Sequence, residues 1–383
     1  MDILLFILSL SLLIFIHEFG HFIFAKLFNV YCLEFSIGMG PAIISKKIKK
    51  DPETTYSIRW LPIGGYVSMA GENMDDDSEK QLDIPYQRTI NGVSPWKRAI
   101  ITIAGVTFNF IFALILLAIF CFGNGVPTND NKVEIVDNSI AQSAGLSSND
   151  RIIAVKDIYV KDLNNDGFVV YKDCTETKCS TDNFSYFKAY LDSEILKTTT
   201  ADYLKDHQDA KLQQEINVTY LHGNVEDHTS LTRIYNNETK SFPLLGINET
   251  TRIPGFFEGI GLTFKKFGEI IVLMSKAIVS LFTPEGFNSL GGVVSMYQMS
   301  EYTASQGFLP YIWYLAIISV NLGFFNLLPI PALDGARFYV SIIEGITKKK
   351  MNPKVEGYMN LVGLVLLFGL MLVVTVKDII GLF

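Results

Sequence analysis

Two histidines and a glutamate, in His17-Glu18-Phe19-Gly20-His21, stand inside an apolar run that begins at Ile3 and continues through Phe22-Ile23-Phe24. A helix advances about 100° per residue, so His17 and His21 project from one face. Two imidazoles so placed can share one Zn²⁺, with Glu18 beside them as a general base. The pattern H-E-x-x-H points to zinc hydrolysis when it lies on a helix, and far less so as a bare string. The bland reading is polar punctuation at a helix end. Cost argues against it, because three ionisable side chains in an apolar helix are expensive unless they serve a function.

The elements that position this pentapeptide belong to a membrane protein. The chain has 383 residues, 49% of them hydrophobic and 19% charged, with a mean hydropathy of +0.28. That is too apolar for an ordinary soluble protein and too charged for one confined to the bilayer, so several spans and at least one water-exposed domain are expected. A formal net charge of −7 gives no reason to expect nucleic acid. Four cysteines are too few for a disulfide framework. Cys174 and Cys179 are close enough to bridge in an extracytoplasmic loop, and two free thiols fit equally well. Met1-Asp2 supply no basic n-region, so the first apolar run reads as a retained helix rather than a cleaved leader.

Four segments approach the ~20 residues needed to cross a bilayer. The expected order is a first span over residues 1–24, a cytoplasmic-side loop over 25–98 and a second span over 99–124. An extramembrane domain covers 125–253, and an amphipathic interfacial helix with its connector covers 254–308. A third span over 309–330, a cytoplasmic loop over 331–356 and a fourth span over 357–383 follow. The loop over 25–98 opens with strand-like text, because Tyr56-Ser57-Ile58-Arg59-Trp60 alternates and Gly64-Gly65 marks a turn or a close backbone approach. Asn109, one amide in the second span, is expected to bond a neighbouring helix. Phe256, Ile260, Phe264, Phe267, Ile271 and Met274 recur at helical spacing among lysines, as in a helix lying at the membrane surface. Basic residues collect in 25–98 and 335–356, which places both loops in the cytoplasm and the 125–253 domain outside.

A catalytic zinc site takes three protein ligands and keeps one position open. The candidate for the third is Asp334, in Asn326-Leu327-Leu328-Pro329-Ile330-Pro331-Ala332-Leu333-Asp334-Gly335. Pro329 and Pro331 break the helix and expose backbone, which lipid tolerates only where it lines a cavity. Taken alone, Asp334 reads first as a cap for the next helix; beside a membrane-embedded H-E-x-x-H it reads as the ligand.

The text from Val133 to Val155 runs strand, short helix, Ala144-Gly145-Leu146, Asn149-Asp150-Arg151-Ile152 and strand, and it resembles a PDZ domain. Asn149 stands where glycine is usual, and residues 157–240 do not follow the PDZ pattern. With H-E-F-G-H on the first span, N-x-x-P-x-P-x-L-D-G after a later one and a PDZ-like insert between, the chain resembles the site-2 protease family. Gly38-Met39-Gly40, Pro62-Ile63-Gly64-Gly65-Tyr66, Ala104-Gly105 and Asn109 are similar to its bacterial regulator-of-sigma-E protease branch.

The resemblance implies a polytopic α-helical membrane protein of about four transmembrane helices. It implies a membrane-associated β-rich segment after the first helix and an extracytoplasmic PDZ-like domain, in a bacterial cytoplasmic membrane. It implies an intramembrane zinc metalloprotease in which His17, His21 and Asp334 hold Zn²⁺ and Glu18 moves the proton. Gly64, Gly65, Asn326, Pro329 and Pro331 would meet the substrate backbone. The partners implied are membrane proteins with a single transmembrane segment, anti-sigma factors or remnant signal peptides, together with the lipid bilayer. The competing reading is a zinc transporter or sensor. It would need ligands along a path, and the second and fourth spans carry no His, Asp or Glu in their interiors.

Overall fold

The computed structural model describes residues 2–380 apart from 73–82, 129–131, 165–166, 174–202, 208, 237–241, 281–282 and 284–290. Cys174, Cys179 and the acidic run Asp75-Asp76-Asp77 lie outside the described residues. In chain order the elements are α1 (Asp2–Leu27), β1 (Cys32–Ile48), β2 (Asp51–Met69), α2 (Pro95–Asn124), β3 (Val126–Pro127), β4 (Val133–Ile135) and α3 (Ile140–Ser143). Then come β5 (Arg151–Asp162), β6 (Gly167–Asp173), β7 (Leu212–His222), β8 (Val225–Ile234), β9 (Ile247–Glu249) and β10 (Thr251–Arg252). The chain ends with α4 (Phe256–Ser280), α5 (Val293–Ser305), α6 (Phe308–Leu327), α7 (Asp334–Thr347) and α8 (Pro353–Ile380). Two compact units result, one from residues 1–123 with 255–383 and one from 124–254.

Among the described residues, four helices of the first unit are long and apolar enough to cross a membrane: α1, α2, α6 and α8. The chain is therefore a polytopic membrane protein that also carries β-sheet. Lipid is as apolar as leucine, so such helices associate through close packing and hydrogen bonds rather than through water exclusion. Both devices are present. A Cβ on Gly20 of α1 would lie 2.6 Å from the Ala104 carbonyl oxygen of α2, so no side chain larger than hydrogen fits that crossing. Ser9 of α1 and Tyr311 of α6 share a 2.6 Å hydrogen bond, and Ser319 of α6 donates to the Asn109 carbonyl of α2 at 2.8 Å. Phe267 of α4 meets Phe110 of α2 edge to face, and Gly259 of α4 packs on Phe122, so α4 runs alongside α2.

The strands β1 and β2 are long enough to fold on themselves. Glu34–Ile37 is flanked by Thr55–Ile58 on one side and by Gly65–Ser68 on the other, while Ala42–Ile48 pairs with Asp51–Arg59. Gly38 and Gly40, at φ 85° and 83°, allow the chain to turn inside β1. The segment Gly65–Met69 consequently lies at one edge of the sheet, beside α1. Ile43, Ile44, Trp60 and Leu61 are exposed, an apolar surface that water would not favour.

The second unit has a core built as in a water-soluble domain. The sheet order is β6-β5-β7-β8, all antiparallel neighbours, with β4 paired to β9 and β3 to β10. Leu146, Ile152, Ile158, Ile216 and Leu231 are buried together with Val133. Each such side chain, removed from water, stabilises the fold by about 1.5–3 kcal/mol. Ser139 caps α3, its hydroxyl accepting from the Gln142 amide at 3.2 Å. Asn149 adopts φ 74°, the left-handed conformation that asparagine tolerates better than most residues.

Candidate metal centre

His17 and His21 lie one turn apart on α1, and both are buried. Asp334 arrives from 313 residues further along, at the start of α7. Its Oδ2 lies 2.7 Å from His17 Nε2 and 3.1 Å from His21 Nε2, and the two imidazole nitrogens are 3.2 Å apart. Among the described residues this is the one group of three or more His, Cys, Asp or Glu side chains close enough to hold a metal ion.

The donor set fits zinc on its own chemistry. His21 Nδ1–H donates to the Ile101 carbonyl at 2.8 Å, which leaves Nε2 with its lone pair. The Asn109 side-chain amide sits 3.1 Å from His17 Nδ1, and its Oδ1 is buried with no partner among the described residues. Turned so that oxygen faces the ring, the amide accepts from Nδ1–H, and His17 Nε2 is likewise freed. Two imidazole lone pairs and a carboxylate oxygen then face one point. With zinc–ligand bonds of about 2.0–2.1 Å in tetrahedral array, neighbouring ligands sit roughly 3.3 Å apart. The observed spacing is close to that.

Space for the ion comes from α2. A Cβ on Gly105 would come within 2.8 Å of His17 Nε2 and Cε1 and would meet His21 Nε2. Any residue but glycine would fill the place where the histidines converge. Gly335 performs a similar service next to Asp334, because a Cβ there would strike the carbonyls of Leu327 and Leu328. It lets α7 start hard against the end of α6.

Glu18 lines the same cavity of about 790 Å³ as His21 and Asp334. Its Oε2 accepts the Val67 N–H at 3.2 Å, so the carboxylate rests against the edge of the sheet. Tyr66 lines the cavity too and donates to Glu34 at 2.7 Å. Burial and that bond push its hydroxyl up to about 12, so it remains a neutral donor. Arg98, Arg337, Glu72, Glu344, Lys350 and Glu356 line the cavity as well, with Arg337 paired to Glu72 and Arg98 to Glu344.

The residues singled out for substrate are placed differently. Gly64, Gly65, Asn326, Pro329 and Pro331 are not among those lining the cavity. Gly64 turns the chain at φ 75° into the edge segment and packs on Ile14. Gly65 lies so close to β1 that a Cβ would be 2.6 Å from the Ser36 carbonyl oxygen. Asn326 is half-buried near the end of α6 and makes no side-chain hydrogen bond among the described residues. Pro329 is exposed, and Pro331 packs against Gly363 of α8. The roles of Val67 and Asn360 of α8 emerge only from the folded chain, as does the contact that Gly105 makes. The signal for Gly105 is present in the sequence as a small residue in an apolar helix, but its partner is not.

A histidine pair and a carboxylate converging on one point between membrane helices, with a second carboxylate in the same cavity, define a membrane-embedded metallohydrolase. The comparisons agree. The profile of peptidase family M50 matches residues 5–370. The chain is similar to a Clostridium perfringens protein named as a zinc metalloprotease, with 30% identity and 99% of each chain covered. A Clostridium acetobutylicum protein of the same name is 32% identical over 99% of this chain and 97% of its own. The Enterococcus faecalis protease Eep is 29% identical over 98% of both. The chain belongs to peptidase family M50, the site-2 protease family.

Proposed function

We propose that this protein is an intramembrane zinc metalloprotease that cuts peptide bonds within the transmembrane segments of other membrane proteins. The observation that carries this reading is the convergence of Asp334 on His17 and His21 beside Glu18, the last three on a helix apolar and long enough to lie in a bilayer. Zn²⁺ held by the three residues would polarise a carbonyl and render water acidic near neutral pH. Glu18 takes the proton from the attacking water and passes it to the departing amine.

A helical substrate hides its carbonyls in its own hydrogen bonds, so it has to open locally. The edge Gly65–Met69 supplies replacements. Val67 directs its N–H away from β1, to Glu18. By the two-residue alternation of a strand, Gly65 presents its backbone groups to that same edge. A substrate strand added there would exchange helical hydrogen bonds for sheet hydrogen bonds. Asn326, whose side chain makes no hydrogen bond among the described residues, would hold a second stretch of backbone, and Pro329 and Pro331 keep that stretch of chain from continuing as helix.

Positive charge on residues 25–98 and 335–356 orients the protein in a bacterial cytoplasmic membrane with residues 125–253 outside. That unit is a PDZ-like domain with a divergent insertion. It serves as a size filter, excluding substrates until another protease has trimmed their ectodomains. Substrates are then single-span proteins such as trimmed anti-sigma factors or remnant signal peptides. The exposed apolar surface at Ile43, Ile44, Trp60 and Leu61 rests in lipid.

The test is to incubate purified protein in detergent with a single-span substrate and to locate the cut by mass spectrometry. A cut inside the span, lost with a zinc chelator, supports the reading. Cuts confined to flanking polar sequence contradict it. For the filter, removal of residues 125–253 should permit cleavage of untrimmed substrates, and retained size selection would refute it.

A further inference from the structure

We propose that Asn360 and Gly363, on the last membrane helix, are positioning residues for the metal centre: they hold the turn that carries Asp334. The proposal rests on the assignment of Asp334 as a metal ligand and adds to it the device that aims the carboxylate.

Ala332, two residues before Asp334, has φ 75°. L side chains rarely adopt that conformation, so it persists only where surroundings impose it. Here they do. The Ala332 N–H donates to Asn360 Oδ1 at 3.2 Å. One turn further along α8, Gly363 lies so close to Pro331 that a Cβ would be 2.6 Å from the Pro331 carbonyl carbon and Cβ. The backbone of residues 331–332 is thus pinned against α8, while Gly335 pins the far side of Asp334 against the end of α6. Between those two clamps the Asp334 carboxylate reaches both histidines.

The helix supplying the clamp is otherwise lightly held. Only 11% of its apolar window is buried within the protein, against 50% for α6. Near its far end Asp378 accepts from the Gly292 amide at 2.7 Å and from Ser295. Asn360 also lines the cavity that holds Glu18, His21 and Asp334, so this seat borders the site itself. Seating of α8 and completion of the metal centre are therefore one event: when the helix leans away, Ala332 loses the partner that holds its strained turn, and Asp334 loses its aim.

The experiment uses the full chain purified in detergent, each variant first checked for a monodisperse elution profile. Zinc affinity is measured by competition with a chromophoric chelator, and the ligand field by the visible spectrum of the Co²⁺-substituted protein. Asn360→Leu should weaken zinc binding about tenfold, as loss of outer-shell support commonly does, and alter the Co²⁺ bands. Ala332→Gly, which takes φ 75° without strain, should restore both when combined with Asn360→Leu. Ala332→Val, a second route to the same turn, should weaken zinc binding with Asn360 intact.

The proposal is overturned if Asn360→Leu and Ala332→Val bind zinc like wild type. It is also overturned if the double variant stays as weak as Asn360→Leu alone, since Asn360 would then act on helix packing and not on the turn. Failure of the underlying assignment looks different: Asp334→Ala would then bind zinc as tightly as wild type.

Discussion

His17 Nε2 lies 2.7 Å from Asp334 Oδ2, although 317 residues separate them in the chain. His21 lies within 3.2 Å of both, so three polar groups meet at one point in the helix bundle. Together with His21 they form a three-donor cup, and a shared cation would offset the cost of burying them. Asp334→Ala should therefore abolish stoichiometric zinc while leaving a folded protein. Metal analysis of the purified variant checks this. Wild-type zinc content in Asp334→Ala would remove the residue from the ligand set.

Gly105 concerns volume rather than charge. Even one methyl group would occupy the point at which the histidine rings meet. Gly105→Ala should lower zinc affinity by more than about tenfold, with helix content unchanged by circular dichroism. Gly261, whose Cβ would meet nothing within 4 Å among the described residues, is the matched control and should tolerate alanine.

Asn109 meets His17 at Nδ1, the ring nitrogen opposite the Nε2 that faces Asp334. Asn109→Leu keeps the volume and deletes the acceptor. Zinc affinity should fall roughly 10–100-fold, as for other outer-shell partners. A chelator competition titration measures it, and an unchanged affinity would assign Asn109 to helix packing alone.

How far these relationships can be read from the sequence depends on their range. The i, i+4 spacing of His17 and His21 is a local property of a helix, and so is the apolar length of α1, α2, α6 and α8. Both are written in consecutive residues. Asn109 stands out as an amide in an apolar run, yet nothing along the chain names His17 as its partner. The sheet is harder still, because β1 and β2 each fold back, and only the three-dimensional pairing puts Gly65–Met69 at the edge next to Glu18. Gly363 is an ordinary glycine until the 331–332 backbone is laid against it, and Ala104-Gly105 does not name the histidines that Gly105 faces. Convergence across the bundle is thus the part that periodicity does not encode.

The sheet beside the site carries its own pH dependence. Arg88 donates two hydrogen bonds to Glu53, at 2.7 and 2.8 Å, and holds its carboxyl below the usual carboxylate range. A carboxylate whose pKa is lower folded than unfolded stabilises fully above its unfolded value, about 4.3 for glutamate. That contribution fades as pH falls through the lower folded value. For a partly exposed pair it amounts to at most about 1 kcal/mol. Amide exchange over Thr54–Ile58 should therefore quicken as pH drops below about 4.3, after correction for intrinsic rates. Glu53→Gln should show little of that acid-dependent loss; equal loss in both proteins would assign it to other groups.

The account stands or falls on Glu18, which lines the same cavity but is not one of the three clustered donors. The direct measurement is zinc content and cleavage rate on the same preparation of Glu18→Gln. The expected result is one zinc per chain, as in wild type, and a rate reduced by at least about 10²-fold, the low end of what a general acid–base group contributes. Cleavage at the wild-type rate with zinc in place would contradict the assignment and return the metal site to transport or sensing.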